Sequence, residues 1–177
     1  SATFTGKEKM PYLLDITLPD GTKINGRTTI PKVVPVDSVA YIIKNEDNNN
    51  DHKNDAYITL YFTDPPGQNN YRLARHHDTT NLMLGWGSAD SYQTFDDQLI
   101  DNAPRIIRYN NIFAQGDTMN FYLNSIGRNE FLFWQSFQRV ANNGGPFATP
   151  VQVKSNITGA IGSFTGYGCS FKQIILK

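Results

Sequence analysis

Apolar and polar residues alternate with a period of two through most of this chain. The clearest runs are 12–18 (YLLDITL), 22–30 (TKINGRTTI), 36–43 (VDSVAYII), 56–62 (AYITLYF) and 118–126 (TMNFYLNSI). That period puts successive side chains on opposite faces of an extended chain, so each run predicts a strand with one buried face. Shorter candidates are 71–77, 82–86, 105–109, 147–153, 157–164 and 171–176. One stretch breaks the pattern. In Asn129–Pro146, Phe133, Phe137 and Val140 recur at i, i+4 and i+7, with Trp134 and Ala141 widening the stripe. This spacing predicts an amphipathic helix near 129–143, its aromatic stripe turned to the core. Asn129 suits its cap, Glu130 its first turn, and Asn142-Asn143-Gly144-Gly145-Pro146 its stop.

The breakers between the runs set the connections. Pro19-Asp20-Gly21 separates the first two runs and predicts a tight hairpin. Pro31–Pro35 reads as an edge or linking segment, because proline cannot donate to a strand ladder. Lys44–Asp55 reads as a long, solvated loop between two paired strands. Residues 87–103 read as a partly packed loop or a single helical turn around Phe95, Leu99 and Ile100. Many short strands with turns every eight to twelve residues, plus one helix, predict a mainly β fold. The expected form is an antiparallel β-sandwich or barrel-like sheet, with the helix across a sheet face or plugging one end. One β-rich domain over 1–177 is expected.

Composition sharpens this picture. Charged residues are only 18% and aromatics 12%, a balance suited to a β-rich extracytoplasmic domain. The 16 basic and 16 acidic residues cancel, so no basic face for nucleic acid is expected. No run of 18 apolar residues is present. The single cysteine, Cys169, cannot form an intrachain disulfide and sits in an apolar, Gly-rich context that suits a buried small residue.

Four stretches offer chemistry. Asp47, Asn49 and Asp51 place oxygen ligands at alternate positions, as in the first part of a calcium loop; a flexible polar hairpin tip is the alternative. His76-His77-Asp78 holds two of three histidines, but neighbours on a strand point to opposite faces, so an exposed strand end is expected. Asp96, Asp97 and Asp101 could supply a glycosidase carboxylate pair, which needs two carboxyl groups about 5–9 Å apart across a cleft; turn and cap roles compete with this. Trp86, Tyr92 and Phe95 cluster in a Gly/Ser-rich segment, where rings either stack on a ligand or pack beneath the loop. Asn156-Ile157-Thr158 matches a glycosylation acceptor by chance spacing. Walker, GxSxG, HExxH and dinucleotide motifs are absent from the sequence, and no cofactor is expected.

Several phrases resemble a family of uncharacterised Bacteroidetes outer-membrane lipoproteins, a domain of unknown function. They are YLLDITLPDGTKINGRTTIPKVVPVDSV, ITLYFTDPPGQNNYRL, FDDQLIDN, FAQGDTMNFYLNSIGRNEFLFWQSF and NNGGPFATPVQVKSNITGAIGSFTGYG, in that order from about Tyr12. The resemblance implies a cell-envelope protein that accompanies a TonB-dependent outer-membrane transporter. It also implies that this chain is the C-terminal portion of a longer precursor, held at the membrane only through a lipid anchor on that precursor. It carries over no catalytic residue.

Together these readings lead to a non-enzymatic accessory or ligand-binding protein of the cell envelope. Its expected partners are the transporter and a glycan or peptide ligand, with Trp86, Tyr92 and Phe95 as contact residues. The alternatives are a carbohydrate-active hydrolase using Asp96, Asp97 or Asp101, and a surface adhesion module.

Overall fold

Strand β4 (Asp55–Thr63) shows why the chain folds as it does. Ala56, Ile58, Leu60 and Phe62 are buried at alternate positions, while Tyr57, Thr59 and Tyr61 between them are half-buried. Apolar side chains at every second residue force one face of the strand away from water. The structure is a computed structural model and describes residues 5–48, 52–77, 91–142 and 152–177.

β4 lies at the centre of a three-stranded antiparallel sheet, between β3 (Val36–Lys44) and β7 (Pro104–Ala114). A four-stranded antiparallel sheet faces it. Its order is β10-β8-β5-β6, from β10 (Gly168–Ile175), β8 (Thr118–Ser125), β5 (Asn70–His77) and β6 (Ser91–Asp96). Ile58, Leu60, Phe62, Tyr71, Leu73, Met119, Phe121, Leu123 and Leu176 form the core between them. The sheets approach along one side, where the Val36 amide donates to Ser170 Oγ at 2.9 Å and the Lys177 amide donates to Tyr41 Oη at 3.2 Å. The fold is mainly β and sandwich-like, with no closed barrel among the described residues. No described helix is long and apolar enough to cross a membrane.

A third sheet stands apart, in the order β1 (Pro11–Thr17), β2 (Lys23–Thr29) and β9 (Ile157–Thr158). β1 and β2 pair residue for residue from Pro11↔Thr29 to Thr17↔Lys23, so the expected hairpin is present. Its turn works as the sequence suggests: Gly21 takes φ +85°, and Asp20 Oδ1 accepts the Thr22 amide at 2.9 Å. That hydrogen bond holds the Asp20 carboxyl below its usual range.

The helix, α1, spans Arg128–Asn142 and packs on β5 and β6. It begins one residue before the expected cap, so Asn129 lies inside it. Its buried face is also rotated from the expected stripe. Phe131, Phe133, Glu130 and Ser136 are buried, whereas Phe137 and Val140 are exposed. The physical reason is that polar partners decide which side turns in. Glu130 Oε1 accepts from Thr28 Oγ1 at 2.9 Å and from Asn156 Nδ2 at 3.0 Å, and Ser136 Oγ accepts the Lys154 amide at 2.8 Å.

Three further expectations change. Residues 91–96 form a strand rather than a loop or helical turn, because β5 offers them a full antiparallel register. The expected strand 157–164 reduces to two residues. The segment that follows is held instead by the Asn156 and Ser155 side chains, with the Phe164 amide donating to Asn156 Oδ1 at 2.8 Å and Ser155 Oγ donating to the Gly162 carbonyl at 3.0 Å. Glycines near the C-terminus pack closely on β2 and the segment after it: a side chain at Gly159 would strike the Lys23 carbonyl, and one at Gly168 the Pro31 carbonyl. Cys169 is exposed rather than buried, since its side chain falls on the outer face of edge strand β10. The strand candidate 82–86 and residues 147–151 of the candidate 147–153 lie outside the described residues, and 152–153 are not strand.

Candidate functional site

The even-numbered residues of β5 and β8 point away from the core, onto the outer face of the four-stranded sheet. Strand register lines them up in rungs. One rung runs Phe171 (β10), Tyr122 (β8), Ala74 (β5), Tyr92 (β6). The rung on one side carries Cys169, Asn124, Arg72 and Thr94; on the other side lie Gln173, Asn120 and His76. An aromatic row is thus flanked by amide and guanidinium groups.

The rings are open to solvent. Tyr92 is 53% exposed and Phe171 52%, and the Tyr122 and Phe171 rings tilt together with centroids 4.9 Å apart. Ala74 is the small residue of the row. Tyr122 and Tyr92 stand on strands either side of it, two strand spacings apart, roughly 10 Å. The result is a shallow floor bounded by rings.

α1 forms one wall. The Arg72 guanidinium lies over the Trp134 ring at 3.6 Å and over the Tyr92 ring at 4.2 Å, and its Nη1 donates to Tyr167 Oη at a long 3.4 Å. Stacking on two rings holds the guanidinium without neutralising it. The start of the helix is pinned beside it. Arg128 Nη1 donates to Asp96 Oδ2 at 2.9 Å and to Asn70 Oδ1 at 3.0 Å. Trp134 and Phe137 stack edge to face at 6.0 Å, so the aromatic surface continues up the helix to exposed Phe137.

Of the sequence-predicted ligand contacts, Tyr92 belongs to this face. Phe95 does not: one residue out of phase with Tyr92, it lies against the core, 5.4 Å from the Tyr71 ring and 6.3 Å from the Phe62 ring. Trp86 lies outside the described residues. Sequence reasoning missed Arg72, Tyr122 and Phe171. Their alternation was visible, but which face of each strand met solvent was not, because β5 and β8 carry large residues on both sides.

The acidic candidates gather at the loops beside β5 and β6. Asp64, Asp97 and Asp101 bring carboxylate oxygens within 4.8 Å of one another, the first two buried. They clasp two loops. Asp97 Oδ2 accepts the Asn69 amide at 2.7 Å, Asp101 Oδ1 accepts the Gly67 amide at 3.0 Å, and Asp64 Oδ2 accepts the Asn102 amide at 3.2 Å. The Tyr71 hydroxyl donates to Asp64 Oδ1. Burial first, and then this bond, push the Tyr71 phenol well above its ordinary pKa. Asp96 is paired with Arg128 on the other side of the strand end. Asp64, Asp97 and Asp101 thus each hold a loop amide in place.

The hairpin tip offers an open depression of about 790 Å³, lined by Glu46, Asp47, His52, Lys53, Gln115 and Lys177 among others. Asp47, the described member of the sequence-predicted metal set, accepts the His52 amide at 3.1 Å. Asn49 and Asp51 lie outside the described residues, as does Asp78 beside His76 and His77. His77 Nε2 approaches Asp117 Oδ1 at 3.3 Å.

Comparison with known proteins places the chain in a family. Residues 1–173 match the profile of DUF4249, a domain of unknown function, and the chain belongs to that family. No curated protein and no solved structure matches it.

Proposed function

We propose that this chain is a non-enzymatic, ligand-binding accessory protein of the cell envelope, working beside a TonB-dependent outer-membrane transporter. The ligand is taken on the outer face of the four-stranded sheet. The observation that carries this reading is the aromatic row Phe171–Tyr122–Ala74–Tyr92, with two rings more than half exposed on a rigid sheet. Exposed rings on a scaffold that does not rearrange offer large contact area at small entropic cost. The resemblance to Bacteroidetes outer-membrane lipoproteins supplies the location, the lipid-anchored precursor and the transporter. The Asp96, Asp97 and Asp101 hydrogen bonds to neighbouring backbone and to Arg128 weigh against the hydrolase alternative.

The test is co-purification of the tagged full-length precursor from native outer membranes, followed by mass spectrometry. A stoichiometric TonB-dependent transporter is the expected outcome. Recovery of the protein alone would remove the accessory role and leave an autonomous binder or an adhesion module.

A further inference from the structure

Five described side-chain polar atoms are sealed from solvent without a hydrogen-bond partner: Arg72 Nε, Arg75 Nε, Thr94 Oγ1, Ser125 Oγ and Trp134 Nε1. Three of them belong to one place. Arg72 and Thr94 are register partners on the outer face, and the Arg72 guanidinium lies on the Trp134 ring. Native proteins leave few such atoms, because each has given up its hydration without a replacement partner. Arginine and the indole can only donate, and the threonine hydroxyl is free to donate. What is missing is therefore an acceptor.

Charge points the same way. Arg72 is half-buried and has no carboxylate partner among the described residues; its contacts there are the Tyr92 and Trp134 rings and Tyr167 Oη. The nearby Asp96 is taken by Arg128. A half-buried guanidinium whose Nε has no acceptor and which has no carboxylate beside it among the described residues suits an anion. The next rung supplies ring faces, and the amides of Asn120 and Asn124 lie beside them.

Resting on the reading of this face as a ligand site, we propose that its ligand is an acidic glycan. A sugar ring stacks on the aromatic row, and its carboxylate or sulfate is bound by Arg72, Trp134 Nε1 and Thr94 Oγ1. Tyr92 is the exposed lid of the guanidinium stack, and its ring swings aside to admit the anionic group. An apolar peptide would leave the donors unanswered, and a neutral sugar would leave the charge unpaired.

The experiment is calorimetric titration of the full chain with oligogalacturonides and sulfated oligosaccharides, against their methyl-esterified or desulfated forms and neutral galacto-oligosaccharides. Binding of at least one acidic series is expected, weakened roughly tenfold or more by neutralising the acid and further by raised salt. Trp134→Phe keeps the ring and removes the N–H. It should weaken the acidic ligand severalfold without changing the fold, read by circular dichroism. Arg72→Gln should abolish discrimination between acid and ester. Equal binding of acidic and neutral sugars would overturn the acidic specificity and leave the binding face standing. Binding of acidic peptides in place of sugars, or of nothing in the panel, would overturn the glycan assignment. Phe171→Ala in the transporter co-purification then reports separately on the face: an unchanged yield there, with no ligand, removes the face as well.

Discussion

Glu130 Oε1 accepts a hydrogen bond from Thr28 Oγ1 at 2.9 Å, across 102 residues of chain, with both residues at least 95% buried. The same oxygen accepts Asn156 Nδ2, and Thr28 Oγ1 accepts the Gly166 amide at 3.2 Å. One carboxylate thus ties the first turn of α1 to the small β1-β2-β9 sheet and to the segment that follows β9. Glu130→Ala leaves the buried Thr28 hydroxyl without its acceptor and Asn156 Nδ2 with the Phe164 carbonyl alone, and should cost about 1–3 kcal/mol in urea unfolding. Glu130→Gln keeps an acceptor oxygen and should cost less. Equal losses would show that the cavity, not the hydrogen bonds, sets the effect.

The clasp beneath β5 makes a second case. Tyr71 is fully buried at the core and donates to Asp64. Tyr71→Phe removes the donor and leaves a buried carboxylate with the Asn102 amide as its remaining described partner. A loss of about 2–3 kcal/mol is expected, since the orphaned group is charged. Thermal denaturation checks it. A change under about 0.5 kcal/mol would mean that Asp64 is reached by water.

Alkaline pH should loosen the fold in a defined window. Burial pushes the phenols of Tyr71 and Tyr109 up, Tyr109 to about 12 despite the opposing charge of Arg75. Both phenols are neutral in folded and unfolded chain below about pH 10, so that stability is complete there. Between about pH 10 and 12 the unfolded chain loses these protons while the folded chain keeps them. Stability should then fall, by up to about 1.4 kcal/mol per pH unit for each phenol. Urea midpoints at pH 8 and pH 11 measure this. Tyr71→Phe should flatten the slope.

The aromatic row should be separable from stability. Phe171 is half exposed on an edge strand, and its ring partner is Tyr122. Phe171→Ala should cost about 1 kcal/mol or less in unfolding, the worth of an exposed ring pair. The same change should lower ligand affinity more than tenfold if the row is the contact surface. Melting curves and calorimetric binding on one preparation separate the two effects.

The aspartates give a prediction of opposite kind. Replacing Asp96, Asp97 and Asp101 together by Asn should lower the melting temperature, because Asp97 and Asp101 receive the Asn69 and Gly67 amides and Asp96 pairs with Arg128. Glycan turnover should be absent before and after. Hydrolysis that disappears with the triple substitution would restore the hydrolase alternative.

The sequence by itself determined the local geometry. The Asp20-Gly21 hairpin, the alternating β4 core and the helix at Arg128–Asn142 are all where their patterns place them. Each follows from interactions within a few residues: a positive φ at a glycine, a period of two, a period of 3.6. What only the tertiary structure decided is which groups meet across the chain. α1 turned Glu130 and Ser136 inward and left Phe137 exposed, because Thr28, Asn156 and Lys154 waited on the other side. Tyr92 and Phe95, three residues apart, fell on opposite faces of one strand. Arg72 met Trp134 over a separation of 62 positions. Side-chain partnership at that range depends on strand order and register, and neither is written in any local window of sequence.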